Sequence, residues 1–143
     1  MEKAYRAWGR ELTTEDTPLE AGLGFAVRFD KPGGFIGRDA LIARRGKPMT
    51  RRLVNFVLDD PGAYPLGDEP IWSGGRIVGS TTSAAYGHSL GRAVAMGYVQ
   101  EAEGVDERTL RDTAFEIQIG GTRATARASL RPPYDPDGVK IKS

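Results

Sequence analysis

The chain has 143 residues, enough for one domain with a core of its own. Its 20 basic and 19 acidic residues leave a formal charge of +1, which removes any electrostatic drive towards nucleic acid or an anionic membrane. No cysteine is present, which excludes disulfides and thiolate metal sites, and no apolar run approaches the roughly twenty residues needed to span a bilayer.

With 19 glycines and 9 prolines, the composition favours a turn-rich β fold over a helical bundle. The first nine residues, MEKAYRAWG, are amphipathic at either period and carry no helix cap, as though the chain began inside a structural element. Glu11 to Glu20 is a polar loop, with Pro18 disfavouring a helical Thr17. Leu19 to Phe29 is expected to enter as a turn and to continue as a strand through Phe25, Val27 and Phe29. Asp30 to Gly34 is a turn by composition. Arg38 to Arg45 is the one short helix, stopped by Gly46 and Pro48 and expected to lie against the sheet.

Met49 to Asp59 alternates as a strand. A long loop with Pro61, Pro65 and Pro70 follows, and then Ile71-Trp72 pairs through the Gly74-Gly75 turn with Arg76 to Ser83. Gly79 lies inside that second strand, where a bend or a close backbone approach is expected. Arg92 to Val99 alternates between Ala93, Ala95, Gly97, Val99 and Val94, Met96, Tyr98, one face for a core and one outward. Glu101 to Asp112 reads as a charged linker. Phe115 to Ile119 and Thr122 to Leu130, split by Gly120-Gly121, form the clearest hairpin. The tail RPPYDPDGVKIKS is expected to be extended, with its final lysines solvated. About six short strands and one helix argue for a mainly β chain, an antiparallel barrel or sandwich spanning residues 1–143 as one domain.

Chemistry is sparse. His88, the single histidine, lies in the loop AYGHSLG without triad or metal partners and reads as a solvated loop residue. No phosphate-binding or dinucleotide fingerprint occurs. The densest basic cluster, Arg44, Arg45, Arg51 and Arg52, lacks the interleaved aromatics of a single-strand-binding surface. Neither a catalytic residue nor a metal site is assigned.

Four blocks in order resemble the glycine-cleavage T-protein (aminomethyltransferase) family: MEKAYRAWG followed by TPLEAGL, DKPGGFIGRDAL, the stretch from Gly79 to Val99, and PPYDPDGVK. The details are most similar to the C-terminal end of dimethylglycine and sarcosine dehydrogenases. The resemblance sharpens the fold to an antiparallel β-barrel of about six strands. It implies that this chain is the C-terminal part of a longer flavoprotein, in which a flavin (FAD) half oxidises a methylamine substrate and tetrahydrofolate captures the carbon as 5,10-methylenetetrahydrofolate. The partners implied are the missing folate and flavin domains, with neither nucleic acid nor membrane. The location implied is cytoplasmic, or the mitochondrial matrix in a eukaryote. The family's catalytic aspartate lies before Met1, so the chain alone is not expected to be catalytic.

Two positions carry a ligand role over from the family. Glu2 matches the glutamate that hydrogen-bonds the pterin ring, and a carboxylate suits the paired N–H donors of an aminopyrimidine edge. Lys31 lies near the basic position assigned to the folate glutamate tail. Trp8 matches an aromatic position expected in the core, and Tyr86 and Tyr134 sit in matching loops without an assigned role. A barrel that serves only as a structural or docking module is the alternative.

Overall fold

In the computed structural model, which describes residues 1–140 and 142, six antiparallel strands close into a barrel. They are β1 (Arg51–Leu58), β2 (Pro70–Ser73), β3 (Arg76–Gly87), β4 (Arg92–Gln100), β5 (Phe115–Ile119) and β6 (Thr122–Ser129), joined in the order β1-β4-β3-β2-β5-β6 and back to β1. Closure leaves no unpaired edge for another chain to extend. Among the described residues, no helix is long and apolar enough to cross a membrane.

The two Gly-Gly turns behave as their sequence requires. Gly74 and Gly75, and Gly120 and Gly121, all take positive φ, the geometry that lets a two-residue hairpin follow the right-handed twist of its strands. Gly79 and Gly97 serve a different end, because they bring β3 and β4 into direct backbone contact. A Cβ on Gly79 would fall 1.8 Å from the Tyr98 carbonyl oxygen, and one on Gly97 would fall 2.5 Å from that of Ser80. The register shifts between Thr81 and Ser83, so the close approach sits beside a bulge, where a barrel wall bends.

The inward positions of every strand meet in one core that includes Val54, Phe56, Leu58, Ile71, Val99 and Ile117. Phe56 and Phe115 pack edge to face, with centroids 5.7 Å apart. Alanines 93, 95, 124 and 126 take further inward positions, small enough for a six-stranded barrel to be filled by side chains. The segment expected as a charged linker folds its second half into a helix, α2 (Glu107–Asp112), following α1 (Arg38–Arg44) in the chain. Asp106 caps α2 by accepting from the Thr109 N–H at 2.7 Å, and Leu110 joins the core with Val105.

Three expectations are corrected. Residues 25–29 form no strand. They are a single 3-10 turn (Gly24–Ala26) followed by loop, because Gly22 has φ +70° and a closed barrel offers no edge to pair with. α1 buries none of its residues, since Ala40, Leu41 and Ile42 are consecutive and give no helical stripe to press on the sheet. The tail is bent rather than extended, with Asp135 at φ +45° and the Gly138 N–H donating to its carbonyl. Positions 141 and 143 of that tail lie outside the described residues.

Candidate functional site

β4 is buried on both faces from Ala93 to Val99, where the alternation promised one solvated face. Residues 1–50 explain the difference, because part of them coats the outside of the barrel. Met1 and Ala4 pack on Leu53, Met96 and Tyr98 in a second, outer cluster. Polar contacts then fasten the coat. Glu11, only 1% exposed, accepts from the Ala7 N–H at 2.9 Å and from the Thr82 hydroxyl of β3 at 2.8 Å. The Tyr98 hydroxyl of β4 donates to the Glu11 carbonyl at 2.9 Å. Arg6 donates to the carbonyls of Ala4 and Ala21 at 2.7 and 2.9 Å, tying together two turns of the coat.

The aromatic positions in the coat do not join the core. Trp8, expected there, is 71% exposed, and its main chain bridges to Leu12. Tyr5, Phe25 and Ile36 are likewise exposed.

Between the coat and strands β3 and β4 lies a polar groove of about 940 Å³. Arg51 spans its wall, donating to Asp16 at 2.7 Å while its guanidinium carbon stands 3.7 Å over the Tyr98 ring. Burial works against the charged form of Asp16, but hydrogen bonds from Arg51 and Thr13 outweigh it and hold the carboxyl below its ordinary range. Burial, with Asp16 close by, pushes the Tyr98 hydroxyl up to about 12. The arginines that looked like a basic cluster are spent one by one. Arg44 pairs with Glu20, Arg45 stands over Phe29, Arg51 holds Asp16, and Arg52 donates to the Val105 carbonyl.

The two predicted ligand residues stand apart. Lys31 is exposed and lines a mostly apolar cleft of about 600 Å³ with Val27, Phe35, Ile36 and Leu41. Glu2 is not among the residues of that cleft. It sits under the turn between β3 and β4, where Oε1 accepts from the N–H groups of Ser89 (2.7 Å) and Leu90 (3.1 Å) and Oε2 from the Ser89 hydroxyl (3.0 Å). Its main chain is pinned from the other side, by the Tyr134 N–H on its carbonyl and by the neighbouring Lys3, which donates to Asp135 at 2.7 and 2.8 Å. Ser89 carries no sequence signal; only the turn places it. His88 is exposed and meets the Tyr86 ring edge-on.

The glycine cleavage T-protein C-terminal barrel domain family matches residues 51–135, which run from the first residue of β1 into the tail. The chain belongs to this family. Human mitochondrial sarcosine dehydrogenase is 34% identical over 145 residues, covering 99% of this chain and 16% of that protein. Human mitochondrial dimethylglycine dehydrogenase is 44% identical over 99 residues, covering 69% of this chain and 11% of that protein. The crystal structure of glycine cleavage system aminomethyltransferase T from Bartonella henselae superposes with a TM-score of 0.77 at 23% identity, over 94% of this chain and 37% of that one. The fold is therefore shared with the aminomethyltransferase. The chain spans about a sixth of the length of the dehydrogenase it matches end to end.

Proposed function

We propose that this chain is the C-terminal barrel of a tetrahydrofolate-linked enzyme that removes an N-methyl group from a small amine of the dimethylglycine or sarcosine type, or that transfers an aminomethyl group. Within that enzyme it closes one side of the folate site. Folate supplies the acceptor for the one-carbon unit, and FAD in the preceding half supplies the oxidation. The barrel's own residues bind and orient. Glu2 accepts from the pterin N–H groups, and Lys31 meets the anionic glutamate tail. The partners are the folate and flavin domains of the same polypeptide, and the mitochondrial names of the two human relatives support a matrix location for a eukaryotic form.

The observation that carries this reading is the state of Glu2. Its carboxylate accepts on both oxygens at once, two N–H groups on one and a hydroxyl on the other, and the same two oxygens would each take one of the two N–H donors of an aminopyrimidine edge. Lys31 fits its part as an exposed cation beside an apolar cleft, the surroundings a benzoyl-glutamate would use. The same saturation of Glu2 supports the second reading, a structural or docking barrel in which Glu2 serves only to hold the turn.

Glu2→Gln in the complete polypeptide separates the two. The folate reading expects 5-formyltetrahydrofolate affinity to fall tenfold or more, on the order of the 1.5–3 kcal/mol of a charged hydrogen bond. The docking reading expects unchanged affinity, and that result would overturn the assignment of Glu2.

A further inference from the structure

Glu2 cannot keep all three turn contacts and hold a ligand as well. A carboxylate has about four acceptor sites, and the turn fills three of them. An aminopyrimidine edge needs two, so at least one turn contact must break when it binds. Resting on the folate reading of Glu2, we infer that the β3–β4 turn is a built-in competitor for this carboxylate, and that Ser89 sets how tightly Glu2 is withheld from the ligand.

Three features make the contact releasable. The turn keeps its shape without Glu2, because the Gly91 and Leu90 N–H groups also donate to the Gly87 carbonyl, at 2.8 and 3.1 Å. Ser89 is exposed, so its freed N–H and hydroxyl pass to water rather than being buried unpaired. The main chain of Glu2 stays pinned through Tyr134 and the Lys3–Asp135 pair, so the side chain alone has to swing. A fourth feature shows that the contact is accommodated by sequence. A Cβ on Gly87 would stand 3.1 Å from Glu2 Oε1, 3.3 Å from its Cγ and 3.1 Å from the Arg92 carbonyl oxygen, tighter than ordinary contacts, so glycine leaves room for the carboxylate as well as for the facing strand.

The test is 5-formyltetrahydrofolate titrated into the complete polypeptide carrying Glu2→Gln, Ser89→Ala or Ser89→Thr. Ser89→Ala removes one competing donor, and its affinity is expected to rise about two- to tenfold, the range of one net hydrogen bond. Ser89→Thr keeps the hydroxyl and is expected to match the unmodified protein. Ser89→Ala with unchanged or weaker affinity, while Glu2→Gln still loses binding, would overturn the competition and leave the folate site at Glu2 standing. Glu2→Gln without effect would instead overturn the folate reading, and the competition with it. A readout free of substitution decides the matter should Ser89→Ala disturb the fold. Saturating ligand is expected to speed amide hydrogen exchange at Ser89 in the unmodified polypeptide, and unchanged exchange would overturn the inference.

Discussion

The barrel and the coat are built on opposite plans. From β1 to β6 the chain buries alternate side chains inward and pairs every strand on both sides, so that most of what holds it lies within the barrel. Residues 1–50 contribute few wholly buried apolar side chains, among them Ala4 and Ala21. They are held instead by side chains reaching main chain, as Glu11, Arg6 and Glu2 do. They also leave Phe25 86% exposed and Ile36 wholly so. A wall closed by backbone pairing has no edge left to extend. A layer with aromatics turned outward leaves apolar surface in water instead of in a core.

Substitutions can break or sharpen this contrast, and the largest effects belong to the barrel. Phe56→Ala removes the edge-to-face partner of Phe115 from a fully buried position and is expected to cost about 3–5 kcal/mol in denaturant unfolding. Gly97→Ala puts a methyl group against the Ser80 carbonyl and is expected to cost about 1–3 kcal/mol by forcing β3 and β4 apart. A coat substitution as costly as Phe56→Ala would erase the distinction.

Glu11→Ala is the intermediate case. It leaves the Ala7 N–H without its acceptor and the Thr82 hydroxyl to the Met96 carbonyl at 3.2 Å, and is expected to cost about 1–3 kcal/mol. Hydrogen exchange should then rise in residues 1–22 while β5 and β6 stay protected. A smaller effect follows from pH. The Asp16, Glu20 and Glu69 carboxyls are all held below their ordinary values, each by hydrogen bonds that overcome burial. The unfolded chain therefore takes up protons first as the pH falls. Stability is fully present above about pH 4–5 and declines below it. Asp16→Asn should flatten part of that decline in acid unfolding curves. Smallest of all is Ile36→Ser, expected to change the stability of the chain by less than about 0.5 kcal/mol because the side chain is already in water.

The barrel was largely legible in the residues because its signals are local. Alternation marks β1, β4 and β5, and paired glycines mark two of the turns. β3 runs past Ser83 to Gly87 without such a signal, since Ser83, Ala84 and Ala85 have little strand preference and are held by pairing to β4. α2 hid in a run of charges because only Leu110 faces inward. The coat was hardly legible at all. Phe25, Val27 and Phe29 alternate as a strand would, yet no edge remains for them. The contacts that do hold the coat, such as Glu11 to Thr82 and Glu2 to Ser89, join residues far apart in the chain with no motif between them. The same limit applies to the site. Resemblance supplied Glu2 and Lys31, and only the folded chain shows that one holds a turn while the other borders a separate cleft.

The most direct measurement is calorimetric titration of 5-formyltetrahydrofolate into this chain alone and into the same chain joined to the folate domain proposed to precede it. Weak or undetectable binding by the chain alone, restored by the added domain, is the expected result. Strong binding by the isolated chain, or none by the joined protein, would contradict the assignment of this barrel as one wall of a shared folate site.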